Sequence, residues 1–284
     1  MKFHNPSASF YVPDNMPEPE ALSRVTHLGV GAHHDDLEFM AFHGILQCYQ
    51  RSDQWFGGIT CTDGAGSART GPYINYTDDQ MKVVRREEQE HAARVGQYSF
   101  VAQLAYPSSA VKQTQGGGLT GDLGALLSAT TADVVYTHNP ADKHETHLGV
   151  LVSVLEAIRA LPPDRRPARL LGCEVWRDLD WMPDDAKVVL DVSGADALAE
   201  KLNNVFASQI AGGKRYDLAV EGRRRANATF LASHATDAIE KVWLAMDLTP
   251  LAQDASPDVV DFTTDFIDRF REDVRVKLLK RIKG

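Results

Sequence analysis

VTHLGVGA at 25–32 runs without a break into HHDDLEFMAFHGILQCYQR at 33–51. The first stretch is short and apolar and closes on small residues, which predicts a buried strand. The second sets Leu37, Met40, Ala41, Ile45 and Tyr49 at helical spacing, which predicts a helix with one buried face. A strand that feeds a helix through a loop of two histidines and two aspartates indicates both a fold class and a place for chemistry.

Working outward, WFGGITCT at 55–62, residues 100–106, ADVVY at 132–136 and residues 170–175 and 187–192 read as further strands. Helices are expected at 78–97, 122–131, 148–161 and 195–211. A long alanine-rich helical region is expected at 221–246, and an amphipathic helix at 258–283 whose Lys and Arg end suits the helix dipole. Residues 1–23 read as an extended arm, with Pro6, Pro13, Pro17 and Pro19 opposing regular helix. Residues 63–76 read as a glycine-rich loop and 107–119 as a polar loop.

Strands that alternate with helices mean βαβ units and a parallel sheet. The expected fold is therefore α/β, a Rossmann-like three-layer sandwich with a mostly parallel central sheet and additional C-terminal helices. One domain is expected over 1–284, with 1–23 as an N-terminal arm and 247–284 as a C-terminal helical extension. In such sheets ligands sit in the crevice beyond the carboxyl ends of the strands.

Composition narrows the function classes. The 284 residues include 30 Lys and Arg against 39 Asp and Glu, a formal net charge of -9. Such a chain has no global attraction to nucleic acid or anionic membrane. The three cysteines, Cys48, Cys61 and Cys173, are far apart, which argues against a disulfide framework or a thiolate metal site. No stretch has signal-peptide character or reaches the ~18 apolar residues of a membrane span. A reducing, cytoplasmic location is expected.

Two loops that follow strands concentrate the reactive side chains. One is Ala32-His33-His34-Asp35-Asp36-Leu37-Glu38, and the other runs from His138 to His147 and contains Asp142, His144 and Glu145. Two imidazoles and a carboxylate make an open zinc site with a fourth position for water. Zinc lowers the pKa of that water to roughly 7 and polarises a carbonyl, and a neighbouring carboxylate can take the proton. His33-x-Asp35-Asp36 offers a ligand, a base and a second ligand within four residues. His144 and His147, at i and i+3, can place one imidazole on a metal and the other on a reacting carbonyl. His4, His27, His43, His91 and His234 stand singly and read as surface or packing residues.

The two loops resemble those of the PIG-L/LmbE family of zinc-dependent N-deacetylases. The family's A-H-P-D-D-x-E appears as Ala32 to Glu38, and its D-x-H-P-D-H as Asp142 to His147. A T-x-G-x-x-G loop is matched by Thr62 to Ser67, an R-x-x-E helix by Arg85 to Glu88, and a later K…SQ helix by Lys201 with Ser208-Gln209. The resemblance covers roughly 25–245. It implies His33, Asp36 and His147 as ligands of Zn2+ or another divalent transition metal. It implies Asp35 as general base on the metal-bound water and His144 as the group that stabilises the oxyanion and protonates the leaving amine. Glu38 becomes a structural residue tied to backbone donors, and Arg69 and Arg85 contacts to substrate hydroxyls.

The implied reaction removes an acetyl group from an N-acetylated amino sugar or sugar conjugate of the GlcNAc type. Two other readings are a metal-dependent hydratase or lyase on a small oxo-dicarboxylic acid, served by Arg69, Arg85 and Arg177, and a non-catalytic zinc- or sugar-binding homologue. A homo-oligomer stays open, and the 258–283 helix can pack on its own domain or on another subunit. Two positions depart from the family pattern. His34 replaces a proline and is expected to point away from the metal. Thr146 replaces an aspartate that orients the active-site histidine, a role for which Asp142 and Glu145 are available.

Overall fold

A computed structural model describes residues 1–113 and 117–282. The 114–116 part of the expected polar loop and the last residue of the expected C-terminal helix lie outside the described residues.

Eight strands form one sheet: β1 (Ser9–Tyr11), β2 (His27–Gly31), β3 (Phe56–Thr62), β4 (Phe100–Tyr106), β5 (Val134–His138), β6 (Arg169–Cys173), β7 (Lys187–Asp191) and β8 (Val242–Asp247). Their order is β1-β4-β3-β2-β5-β6-β8-β7. The β2–β3, β3–β4, β2–β5 and β5–β6 pairings are parallel, and β1, β7 and β8 join antiparallel. From β2 the chain steps to β3 and β4 on one side, then returns to place β5 on the other. The loops after β2 and β5 therefore diverge from adjacent strands, and a crevice opens between them.

Helices cover both faces. On one, Leu28, Val30, Ile59, Phe100 and Val135 pack with Leu123, Leu126, Val150 and Ile158. On the other, Phe56, Tyr98, Tyr136, Leu171 and Trp243 pack with Leu37, Met40, Phe42 and Leu202. Alternation along β2 explains the division: Leu28 and Val30 fill the first face, while Gly29 and Gly31 leave the second one bare. The short helix Asp36–Met40 lies directly against that bare strip. A Cβ on Gly29 would stand 2.8 Å from the Phe56 ring and 2.9 Å from Leu37, and one on Gly31 would stand 3.0 Å from the Asp36 Cβ. Gly29→Ala is expected to cost about 1–3 kcal/mol by overpacking and to displace the helix that carries Asp36. Urea unfolding and metal titration of the same variant check this, and an unchanged midpoint would refute it.

Two expectations need correction. The region at 221–246 is not continuous helix: a helix spans Tyr216–Phe230, and 242–247 is β8, hydrogen-bonded between β6 and β7. VWLAM at 242–246 is a five-residue apolar run, a length at which a buried strand and a buried helix look alike, and pairing on both sides decides for the strand. The N-terminal arm is also partly regular, with β1 on the sheet edge and a helix at Glu18–Ser23. Pro17 and Pro19 sit at the start of that helix, where a missing N–H costs nothing.

Candidate metal centre and active-site cleft

The loop after β2 turns sharply. Asp35 has φ 97° and ψ −27°, a left-handed conformation for a non-glycine residue, of the kind that costs on the order of 1–3 kcal/mol and gathers at functional sites. Its N–H is met by Gln89 Oε1 at 3.3 Å. The turn closes when the His33 N–H donates to Asp36 Oδ2 at 2.7 Å. On the other side, β5 ends in His138, and His144 precedes the helix Glu145–Ala160, placing His147 in its first turn.

These elements bring three ligand-type atoms together. His33 Nδ1 lies 3.1 Å from His147 Nε2 and 3.3 Å from Asp36 Oδ2, and His147 Nε2 lies 3.4 Å from Asp36 Oδ2. Donors held at about 2.0–2.2 Å around one tetrahedral zinc stand about 3.3–3.6 Å apart, so the triangle has the size that a cation of this class requires. Asp142 Oδ2 sits 3.3 Å from His147 Nδ1. A carboxylate there favours the proton on Nδ1 and leaves the Nε2 lone pair facing the triangle.

His138 is a fourth imidazole, which sequence reading left without a role. Its Nε2 is 3.4 Å from Asp36 Oδ2, and its ring stacks 3.7 Å from that of His147. That nitrogen accepts the Ala32 N–H at 2.9 Å, so its lone pair is already spent. His138 ties the end of β5 to the end of β2 and backs His147. Its position as the last residue of a strand was the available signal.

Asp35 does not join the triangle. Its Oδ2 accepts from Arg85 at 3.0 Å. Burial pushes its carboxyl up to about 7, with Asp36 adding to the rise and Arg85 opposing it. Asp36 is held well below the usual carboxylate range: burial works against ionisation, but His147 and His138 outweigh it. Burial, together with His138, lowers His147 to about 4. Burial lowers His144 as well, reinforced by His33.

The departures from the family pattern have local explanations. His34 is buried with Nε2 3.1 Å from Gln103 Oε1 on β4, directed away from the triangle. Asp142 serves His147, and it reaches His144 only through the backbone N–H at 3.0 Å. Glu145 is exposed, 3.5 Å from Lys112. The His144 ring thus has no carboxylate orienter among the described residues. It packs between the rings of His33 and His147, with centroids 4.8 Å from each.

The two arginines expected at substrate hydroxyls are otherwise engaged. Arg69 bonds Asp78 and donates to the Ala65 carbonyl at 2.8 Å, and it does not line the cleft. Arg85 lines the cleft but is buried. It binds Asp35, Glu88 at 2.7 Å, Ser208 at 3.2 Å and the His34 carbonyl. It comes from a helix, Asp78–Val95, whose inward stripe is Met81, Arg85, Gln89, Ala92 and Ala93, so polar side chains at helical spacing brace the loop.

Glu38 is fully buried. It accepts from two side chains, Gln89 at 2.8 Å and the Tyr98 hydroxyl at 2.7 Å, and a backbone N–H of its own turn also supports it. Burial pushes its carboxyl up to about 7 from 4.5, against the pull of these donors. The folded protein therefore holds this proton more tightly than the unfolded chain does. The stabilisation is full below about 4.5 and is lost as pH rises through about 7. Glu38→Gln is expected to compare more favourably with the parent at pH 8 than at pH 5 in denaturant titrations, and equal differences would contradict it.

A cleft of about 550 Å³ is lined at its floor by His33, Asp35, Asp36 and His144. Its lining also carries Trp176, whose ring is 6.3 Å from that of His144, and Tyr216, edge to face with Trp176 at 6.1 Å, and Lys214 Nζ lies 5.2 Å from the Trp176 ring.

Residues 28–158 match the family model described as PIG-L: GlcNAc-PI de-N-acetylase. This stretch contains both loops and every atom of the triangle. No curated protein matches the chain. Among solved structures, the chain is similar to the N,N'-diacetylchitobiose deacetylase of Pyrococcus horikoshii, with TM-score 0.62 and 15% identity over 86% of this chain and 91% of that one. It is also similar to the conserved protein TT1542 of Thermus thermophilus, with TM-score 0.59 and 17% identity over 78% and 94%. A third similar structure is GalB, the 4-carboxy-2-hydroxymuconate hydratase of Pseudomonas putida KT2440, with TM-score 0.58 and 14% identity over 79% and 96%. At these identities the likeness is one of fold. The matched segment supplies β2 to β5 and most of the helix after β5, and the later segments add Trp176 and Tyr216. No helix among the described residues is long and apolar enough to cross a membrane.

Proposed function

We propose that this protein is a metal-dependent N-deacetylase of an N-acetylated amino sugar or sugar conjugate, with His33, Asp36 and His147 holding Zn2+. The observation that carries the reading is the triangle of ligand atoms at 3.1–3.4 Å with Asp35 beside it. A zinc-class cation there supplies a Lewis acid that acidifies water and polarises an amide carbonyl.

The chain's own groups divide the remaining work. Asp35, ionised and held by Arg85, takes the proton of the attacking water. His144 faces the cleft and donates to the carbonyl oxygen as that oxygen gains charge. It then protonates the nitrogen as the C–N bond breaks, releasing acetate and the free amine. Trp176 and Tyr216 offer flat apolar faces against which a sugar ring can lie.

A second reading is supported by Lys214 and Arg223, cations on the cleft wall suited to a substrate carboxylate. Under it the same centre hydrates a small unsaturated dicarboxylate. Of the arginines named for that chemistry, Arg69 and Arg85 hold carboxylates of the chain, and the exposed Arg177 donates to the Ala141 carbonyl. The deacetylase reading is therefore preferred.

The test is metal analysis followed by a panel of N-acetyl sugars and unsaturated diacids. The expected result is one equivalent of zinc, acetate released in step with free amine, loss of turnover on chelation and its return with zinc. Hydration of a diacid without acetate release from any sugar would overturn the reading.

A further inference from the structure

The last helix, Val259–Ile282, begins on the domain and leaves it. Phe262 and Phe266 pack against the core and Thr263 is buried, but residues 267–278 are exposed on every side. At 1.5 Å per residue the 24-residue helix is about 36 Å long.

Six of the seven large apolar residues exposed on it line up, and only Val276 stands apart. Val260, Ile267, Phe270, Val274, Leu278 and Ile282 follow one another at spacings of seven, three, four, four and four. At about 100° per residue they share one stripe, and each is between 40% and 77% exposed. A continuous stripe of this kind marks an interaction surface, whereas a single exposed apolar residue does not.

The charges on the helix say what covers it. From 258 to 268 the ionisable residues are Asp258, Asp261, Asp265 and Asp268, with no cation. From 269 to 282 six cations, Arg269, Arg271, Arg275, Lys277, Lys280 and Arg281, face two anions, Glu272 and Asp273. The helix dipole accounts for opposite charges in the first and last turns only, and this division runs the whole length. A helix acidic in one half and basic in the other is the complement of itself reversed. Laid antiparallel, the basic half of each copy meets the acidic half of the other, and a two-fold axis closes the pair.

We propose that this helix is a self-association surface, through which two copies of the chain pair antiparallel about an axis near Phe270. The stripe forms the seam. Asp268 and Arg275 flank the same edge of the stripe, so Asp268 of one copy lies beside Arg275 of the other, and parallel pairing is disfavoured because like halves would meet.

Sedimentation of the full-length protein at micromolar concentration tests this. The expected mass is twice 31.3 kDa, falling to the monomer in Phe270→Glu/Val274→Glu with helical circular dichroism retained. Asp268→Lys and Arg275→Glu are each expected to be monomeric alone and to form a dimer when mixed. For direction, Cys48, Cys61 and Cys173 are buried, so an introduced Asp268→Cys/Arg275→Cys pair supplies the accessible thiols. A covalent dimer is expected from this pair and not from either single variant. A monomeric parent (whether or not it binds anionic vesicles), a dimer that survives Phe270→Glu/Val274→Glu, or reversed variants that fail to pair would each overturn the proposal.

Discussion

Asp35→Asn is expected to lower kcat for deacetylation by roughly 100- to 10,000-fold, the range that a positioned general base contributes, with zinc content unchanged. The separation follows from geometry. Asp35 lies outside the triangle of His33, Asp36 and His147, so removing its charge removes no ligand. The fold should tolerate the change, because asparagine visits the left-handed region more readily than most residues and its carbonyl oxygen can still accept from Arg85. What is lost is the proton acceptor. Steady-state rates and metal analysis on one preparation decide the matter: wild-type kcat in the zinc-loaded variant would remove Asp35 from the chemistry, and loss of zinc would make it a ligand.

Arg85→Met is expected to carry the largest stability cost among the site residues, about 3–5 kcal/mol. The guanidinium is buried among Asp35, Glu88, Ser208 and the His34 carbonyl. Methionine keeps much of the volume but leaves the buried Asp35 and the half-buried Glu88 without their cation, and the uncompensated charge on Asp35 sets the cost. Arg85→Lys should recover part of it, since one ammonium can meet one carboxylate but cannot reproduce the fork. Denaturant midpoints for the parent, the lysine variant and the methionine variant should fall in that order. Equal midpoints for all three would mean that the cluster braces nothing.

These two residues also mark how far the sequence could be read. The loop after β2 was legible because its strand, its glycines and its histidines and aspartates are contiguous. The parallel sheet then predicted that a second loop would meet it, and the structure brings His144 and His147 there from more than 100 positions away. Arg85 was less legible. Its partners come from three separate segments, so an arginine on a helix near a site read as a substrate contact when it is a brace. β8 was missed because an apolar run beside an alanine-rich helix carries no periodicity of its own. Asp142 was named as an available orienter, but which histidine it orients depends on side-chain directions that spacing does not set.

The triangle has a thermodynamic side as well. Asp36 and His147 stand 111 positions apart in the chain, so one cation held by both closes a very long loop. Such a loop is costly to close in the unfolded chain, and a cation that prefers the folded state adds to folding free energy by mass action, about 2.7 kcal/mol at a hundredfold excess over its Kd. The ion would then be a clasp on the topology as well as a reagent. Melting temperatures of preparations that differ in metal content would accordingly describe two different molecules.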